Sequence, residues 1–285
     1  MKALKRTLIS LLVVVLLVGG ALLGGYFYVK SQFGIDLINT AKELKILSEP
    51  VNEAELCSHA FSKEDMVDVQ ALVNQSVENF ITYTEEQGYI VNFDNLPDEM
   101  KYIIRLSDKQ VGAIADTVIT QESGSSVQLG EESLSVALKQ VKFSEITDTG
   151  ALLNTIIAID LTTLINQIEG FPYSLFKDKL PNMLYISSIV QIKKGEKAFS
   201  YTVLHNSLTI NNLNSEESED LLKTLDILLK IGTAESFNIA LGTEIANALI
   251  GNDQCNGIAY SLKEIGATDY AFVEIDGVGC FSVLR

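Results

Sequence analysis

An uncharged, apolar run near the N-terminus constrains this chain more strongly than any other feature of its sequence. The run comprises the 23 residues 7–29, and a helix of that length crosses a hydrocarbon core of roughly 30 Å at about 1.5 Å per residue. Lys2, Lys5 and Arg6 precede it, and the positive-inside rule keeps a basic end in the cytoplasm. We therefore expect a signal anchor, a transmembrane helix within residues 1–30, in a single-pass membrane protein with a cytoplasmic N-terminus and an extracytoplasmic C-terminal domain.

A cleaved signal peptide is the alternative to the anchor, because the small residues Gly19, Gly20 and Ala21 fit a cleavage site after Ala21. The apolar residues continue past this point to Val29, and this full spanning length favours the anchor. Gly20 and Gly24 form a small-xxx-small pair, which makes them candidates for packing against another transmembrane helix. Glycine is also common in membrane helices for other reasons, so the pair alone does not establish a dimer.

The part of the chain after the apolar run is strongly acidic. All 37 Asp and Glu residues but only 17 of the 21 Lys and Arg residues follow residue 30, which gives this part a formal charge of −20. Phosphate backbones and anionic bilayers repel such a domain, so we expect no nucleic-acid partner and no flat contact with the membrane surface. The acidic residues are otherwise expected to form a solvated surface.

The order of the predicted elements favours one α+β domain with an antiparallel sheet. Strands come in succession and helices follow them, whereas a doubly wound fold would alternate the two. We divide the chain into an anchor at residues 1–30, a juxtamembrane helix and linker at residues 31–60, and an extracytoplasmic domain at residues 61–285. The expected architecture of this domain is a long-stranded sheet, flat or curled, packed on helices.

Hydrophobic periodicity predicts the first elements of the domain. Ser62 and Asp65 have the spacing of a capping box. Apolar residues at helical spacing then predict a helix that runs to about Thr84. Residues 88–97 are expected to be a turn-rich break.

Four long strands are predicted within residues 133–161 and 183–210, each longer than the usual length of roughly 5–6 residues. In the first strand the alternation slips in phase after Leu138, which indicates a β-bulge. The last two strands flank a charged, glycine-containing turn and are predicted to form a hairpin. Ile156 and Ile157 place apolar groups on both faces of one strand. We therefore expect a sheet that is covered on both faces, or one curled around a helix or a ligand.

Three cysteines lie in the part of the chain that we expect to be extracytoplasmic, where an oxidising environment permits disulfides. Cys255 and Cys280 bracket one short C-terminal unit and are the candidate disulfide pair. Closing that loop would contribute roughly 3 kcal/mol. Cys57 would then be left over, and its pairing with either of the other two is the alternative. No two cysteines have the spacing of metal ligands.

The sequence contains no G-x-S-x-G, H-E-x-x-H, P-loop or EF-hand motif. Its only histidines are His59 and His205. His205 lies within a strand pattern and is expected to be a packed or edge residue. His59 follows Cys57 by two residues, and side chains at that spacing do not face each other on a helix. We therefore predict no catalytic residue, no metal ligand and no cofactor, and the ligand-binding residues stay unassigned.

Five segments between residues 100 and 215 share a pattern with a known family. They are LSDKQVGAIADTVI, SLSVALKQVKF, ALLNTIIAIDL, LPNMLYISSIVQI and AFSYTVLHNSLTINNL. The first resembles the strand-then-helix opening of the tubular lipid-binding (TULIP-like) domains of membrane-anchored bacterial envelope proteins, and the others resemble their long curled strands. The resemblance implies a curved sheet wrapped on a helix, with an apolar groove for a lipid chain. It assigns no functional residue.

These features together predict a non-enzymatic, membrane-anchored protein of the cell envelope that binds a lipid or another apolar ligand. An interaction module that scaffolds a membrane complex through a protein partner is the alternative. An envelope hydrolase is a third hypothesis, and it requires two carboxylates, or a serine and a histidine, in one cleft.

Overall fold

The computed structural model of the chain describes residues 42–43, 45–94, 96–123, 126–129, 132–162, 181–229 and 233–285. These residues form an α+β fold with antiparallel sheets and several helices, as the succession of strands and helices predicts. The predicted anchor at residues 1–30, with Gly20 and Gly24, lies outside the described residues. Within the described ranges, no helix combines the length and the apolar character needed to cross a membrane.

The chain joins the folded domain earlier than the sequence predicts. Leu47 lies in the predicted juxtamembrane helix and linker, yet it is 2% exposed and belongs to the main hydrophobic core. The short helix α1 (Glu53–Leu56) follows. Ala60 then forms an antiparallel bridge with Gln140. These contacts make the later part of the predicted linker a component of the domain, which therefore begins before residue 61.

Helix α2 (Lys63–Ser76) begins where the sequence predicts. The capping box is confirmed, because the Ser62 hydroxyl accepts from the Asp65 N–H and the Asp65 carboxylate accepts from the Ser62 N–H. The predicted continuation to Thr84 is wrong. The helix ends at Ser76, and Asn79 then adopts a left-handed φ of 59°, which turns the chain away from the helix axis.

A β-hairpin occupies the region where a helix end and a turn-rich break were expected. Strand β1 (Ile81–Thr84) pairs antiparallel with strand β2 (Gly88–Val91). Strands of four residues contain too few alternations for the period-two pattern to stand out in the sequence. The apolar residues of β1 therefore also fit the sequence pattern of a longer preceding helix.

The largest sheet is an antiparallel meander of five strands in chain order. Strand β3 (Ile104–Ser107) and helix α3 (Asp108–Ser123) precede it. The strands of the sheet are β4 (Ser126–Leu129), β5 (Glu132–Thr147), β6 (Gly150–Asp160), β7 (Met183–Lys194) and β8 (Tyr201–Ile210). The four long strands predicted from the sequence are β5 to β8.

The predicted bulge in β5 is confirmed. Leu138 pairs with Ile157 and Gln140 pairs with Ile156, so Lys139 is the extra residue between two successive pairs. A bulge reverses which side chains face the core, which is why the apolar alternation changes phase at this point.

Helices and a second sheet complete the chain. The helices are α4 (Ser215–Leu229), α5 (Ala234–Leu249) and α6 (Ile258–Ser261), and a 3₁₀ turn (Lys263–Ile265) follows α6. Strands β9 (Asp269–Ile275) and β10 (Val278–Leu284) form a hairpin around Asp276 and Gly277. Strand β10 also pairs with β3, which gives a sheet of order β3-β10-β9.

The inner face of the large sheet is covered by helices. Helix α3 packs on β5, α5 packs on β7 and β8, and α4 packs on β8, so that sheet and helices share one core. The outer face is also buried at one end, where Ile156, Ala158 and Tyr185 form a second cluster with Cys57. Cover on both faces was one of the two arrangements expected from the apolar pattern of β6.

Strand β8 contains a second bulge at Asn206, which shifts its register with β7 between Ile189 and Val190. The buried side chain of Asn238 on α5 lies against this bulge. The amide nitrogen of Asn238 lies 2.8 Å from the Ile189 carbonyl oxygen and 2.9 Å from the Ser207 carbonyl oxygen. Asn238 is fully buried. Its side chain therefore supplies hydrogen bonds at the point where the bulge interrupts the ladder.

The predicted disulfide between Cys255 and Cys280 is not formed. All three cysteines lie in the described residues, and none of them takes part in a disulfide. Cys255 Sγ lies 3.2 Å from Asn247 Oδ1, at the end of α5. Cys280 is buried in β10, where its Sγ contacts the Val278 carbonyl oxygen at 3.6 Å. The two cysteines are near in sequence, but the fold gives their thiols different neighbours.

Candidate functional site

An open pocket of about 590 Å³ lies between helix α3 and the β1–β2 hairpin. This volume is within the roughly 300–1,000 Å³ that is typical of small-molecule sites. The lining consists of one turn residue, two residues of β2 and four residues of α3: Gln87, Tyr89, Ile90, Asp116, Thr117, Thr120 and Gln121. Apolar and polar groups thus border the same space, and we take this pocket as the candidate site.

Side-chain amides hold the hairpin that forms one wall of the pocket. Gln121 on α3 accepts a hydrogen bond from the Val91 N–H at 3.0 Å and donates one to the Val91 carbonyl at 3.2 Å. Asn74 on α2 makes the equivalent two bonds with Ile81, at 3.0 Å and 2.8 Å. An isolated two-stranded hairpin is marginally stable in water. These amides therefore give the pocket a fixed wall by tying both strands to helices.

Tyr89 is the aromatic residue of the lining. Its ring centroid lies 4.9 Å from that of Tyr83, with 56° between the ring planes. Aromatic pairs at such distances stabilise each other beyond their simple burial. Tyr83 is itself 57% exposed, so the contact holds the half-buried Tyr89 ring beside the pocket without covering it.

Among the lining residues that the structure describes, Asp116 is the one with a charged side chain. It follows the buried residues 111–115 of α3 and is itself half-buried. Burial raises the pKa of the Asp116 carboxyl above its ordinary value, while the Leu138 backbone N–H and the Lys139 charge oppose this shift. A carboxylate offers about four acceptor positions. Asp116 therefore presents a poorly solvated negative charge, with acceptor capacity to spare, to the pocket.

Replacing Asp116 with asparagine is expected to raise the free energy of unfolding at neutral pH. Because burial raises the folded-state pKa, Asp116 contributes stability that is present below the ordinary value of 3.8 and is lost as the pH rises through the folded-state pKa. Asparagine keeps the shape and an acceptor oxygen but carries no charge. The melting temperature of the full chain should therefore be higher for Asp116→Asn at pH 7, and the difference should shrink toward about pH 4.

The matched control is Asp68→Asn, since Asp68 is exposed on α2 and should leave the melting temperature nearly unchanged. A lower melting temperature for Asp116→Asn than for the wild type at pH 7 would contradict the assignment of Asp116 as a charge that burial disfavours.

Cys57 and His59 face different neighbours. Cys57 packs beside Tyr185 on the outer face of the sheet, and burial raises the pKa of its thiol. The His59 ring lies beside the buried Asp108, with 2.8 Å between Nε2 and Oδ1. His59 Nε2 has no hydrogen-bond partner among the described residues. The two side chains thus enter separate contacts, in agreement with their spacing in the sequence.

His205 is a packed residue of β8, as predicted. Its Nδ1 lies 2.8 Å from Nδ2 of Asn238 on α5, and its Nε2 lies 3.9 Å from a carboxylate oxygen of Glu219 on α4. The ring therefore lies between the sheet and two helices. Among the described residues, no group of three or more His, Cys, Asp and Glu side chains is arranged to hold a metal ion.

Sequence reasoning did not identify Asp116, although a signal was present. Asp116 is the single charged residue within the mainly apolar stretch 111–119 of α3, and an ionised group in such a position costs free energy unless something compensates it. Tyr89 and Ile90 had no comparable signal. Their place in the lining depends on the docking of a short hairpin that was not predicted.

Comparisons with known proteins add no relative to this description. No family model, no curated protein and no solved structure matches the chain. The candidate site is therefore assigned from the geometry and chemistry of this chain alone.

Proposed function

We propose that this chain is a non-enzymatic binding protein that is held at a membrane by its N-terminal apolar segment. Its extracytoplasmic domain binds a small ligand with an apolar part in the pocket between α3 and the β1–β2 hairpin. The observation that carries the proposal is this pocket, because its volume is that of a small-molecule site and the half-buried carboxyl group of Asp116 borders it.

Polar clusters elsewhere in the described chain support the choice of this pocket, because they hold elements of the fold together. The Lys139 Nζ lies 3.2 Å from the Glu53 carboxylate and fastens β5 to α1. The Lys194 Nζ lies 2.6 Å from the Asp269 carboxylate and fastens β7 to β9. The Asp116 carboxylate differs, since it borders open space.

The apolar part of the ligand is expected to contact Tyr89 and Ile90 rather than the inner face of the large sheet. Helix α5 approaches β7 so closely that a Cβ atom on Gly242 would lie 2.6 Å from Val190. A lipid chain could enter between these layers only if the helix moved away. The resemblance to tubular lipid-binding domains, with its groove along the strands, stays a prediction.

Scaffolding of a membrane complex is a second candidate function. Tyr102 and Ile103 are 65% and 43% exposed, and they precede β3, an edge strand of its sheet. Exposed aromatic residues are enriched at protein interfaces. Two residues form a small surface, so the pocket is the better supported site. Crosslinking to a partner that is lost in a Tyr102→Ser variant would favour the scaffold.

A pocket-filling substitution tests the proposal. Thr120 lines the pocket and is exposed, so Thr120→Trp should fill the space without disturbing the core. Thr202→Trp is the matched control, because Thr202 is exposed on β8. Native mass spectrometry of the full chain in detergent should detect a co-purified small molecule on the wild type and on Thr202→Trp, but not on Thr120→Trp.

Lipid that adheres to the apolar N-terminal segment would remain on all three proteins, so the variants separate it from a pocket ligand. Equal ligand occupancy in Thr120→Trp and in the wild type would overturn the proposal. The same holds if no small molecule accompanies any of the three proteins.

A further inference from the structure

The chemistry of the pocket lining indicates which ligands it selects, and this step rests on the function proposed above. Asp116 is the charged side chain among the described residues of the lining. We infer that the pocket takes an organic amine, with its ammonium group against the Asp116 carboxylate and its apolar part against Tyr89 and Ile90.

The other polar groups near Asp116 compensate its charge only in part. Lys139 is the neighbouring cation, but its Nζ lies 3.2 Å from the Glu53 carboxylate and is engaged there. The Leu138 N–H faces the Asp116 carboxylate and occupies one of its acceptor positions. A ligand ammonium supplies a further positive charge and further donors, and such charge-assisted hydrogen bonds are the stronger kind.

Two polar side chains of the lining are already committed to the protein. The Thr117 hydroxyl donates to the Ala113 carbonyl at 2.9 Å. Both polar atoms of the Gln121 amide bond to the backbone of Val91. Gln87, Tyr89 and Thr120 can add neutral polar contacts, but Asp116 is the charged group of the described lining and repels carboxylates and phosphates.

The charge of the whole domain acts in the same direction. The chain after residue 30 carries a formal charge of −20, and a negative field raises the local concentration of cations and lowers that of anions. The aromatic ring of Tyr89 beside the pocket adds a surface that attracts cations as well as apolar groups.

Three probes that share one ring and differ in the head group test the inference: benzylamine, benzyl alcohol and benzoate. The reporter is the δ1 methyl signal of Ile90 in the full chain, labelled with ¹³C at the isoleucine methyl groups, in lipid nanodiscs at pH 7. Ile275 is the reference, because it is exposed at the tip of the β9–β10 hairpin and should report only general adsorption.

Benzylamine should shift the Ile90 signal saturably and bind about tenfold or more tightly than either other probe. Asp116→Asn should weaken benzylamine binding by about tenfold or more, whereas Asp68→Asn, an exposed site on α2, should leave it unchanged. Equal binding of benzyl alcohol or benzoate, or unchanged binding in Asp116→Asn, overturns the inference.

The outcomes also separate this inference from the proposed function. Saturable shifts of Ile90 with benzyl alcohol or benzoate and none with benzylamine would leave a binding pocket but reject an amine ligand. If none of the three probes shifts the Ile90 signal, an amine ligand is rejected. The proposed function is then decided separately, by whether mass spectrometry finds a co-purified molecule on the wild type but not on Thr120→Trp.

Discussion

Replacing Asn238 with leucine is expected to lower the free energy of unfolding by about 3 kcal/mol or more. Leucine has a similar volume but cannot hydrogen-bond. The Ile189 and Ser207 carbonyls would lose the donor that now lies 2.8–2.9 Å away, and Ser188 would lose the acceptor of its hydroxyl hydrogen bond. These groups lie at the bulge under α5, and each buried polar group left unsatisfied costs about 1–3 kcal/mol.

Urea unfolding of the full chain in detergent, monitored by circular dichroism, measures this loss in the free energy of unfolding. Glu235→Ala, an exposed site on the same helix, is the control and should alter the free energy of unfolding by less than about 0.5 kcal/mol. A loss below about 1 kcal/mol for Asn238→Leu would mean that the bulge does not depend on this side chain.

Replacing Gly242 with alanine should lower the free energy of unfolding by roughly 1–3 kcal/mol. Helix propensity alone predicts the opposite sign, since alanine favours a helix interior by about 1 kcal/mol over glycine. The new Cβ would lie 2.6 Å from one Val190 methyl carbon and 3.0 Å from a Val203 methyl carbon. Both valines are β-branched and stiff, so α5 must move away from the sheet.

A second substitution tests the cause directly. If the clash with Val190 produces the loss, then Val190→Ala should cost less in the Gly242→Ala background than in the wild type, because it makes room for the new methyl group. A stabilised Gly242→Ala protein in the same urea titration would show that α5 and β7 are not in close contact at this position.

Strong local periodicity accounts for the parts of the fold that the sequence predicted. Strand β6 and the β7–β8 hairpin consist of long apolar patterns, and the Ser62 capping box marks the start of α2. The bulge at Lys139 was visible because it reverses the phase of an alternating pattern. In each case the signal lies within a few residues of the feature.

The failed predictions depend on contacts that periodicity does not show. Strand β1 is held by Asn74, seven residues before Ile81, and β2 is held by Gln121, 30 residues after Val91. The predicted disulfide failed for the same reason, because the distance between Cys255 and Cys280 is decided by the docking of β10 against β3 and β9. Sequence spacing carries no information about such docking.

The candidate site was the least predictable part of the structure. One side of it could be inferred from the sequence, and the other could not. The lone charge of Asp116 in an apolar helix segment was available in the sequence. The wall that faces it, formed by Tyr89 and Ile90, exists only because side-chain amides fasten a marginal hairpin to two helices. The pocket can be identified only once the positions of the α3 segment and of the hairpin are known.

Contacts between the co-purified molecule and labelled methyl groups test the central claim most directly. Isotope-filtered nuclear Overhauser spectra of the methyl-labelled full chain in deuterated nanodiscs should show contacts to the methyl groups of Ile90, Thr117 and Thr120, which line the pocket. Contacts to Val190 and Leu208, which are buried between the large sheet and its helices, would instead place the ligand along the strands and contradict the account.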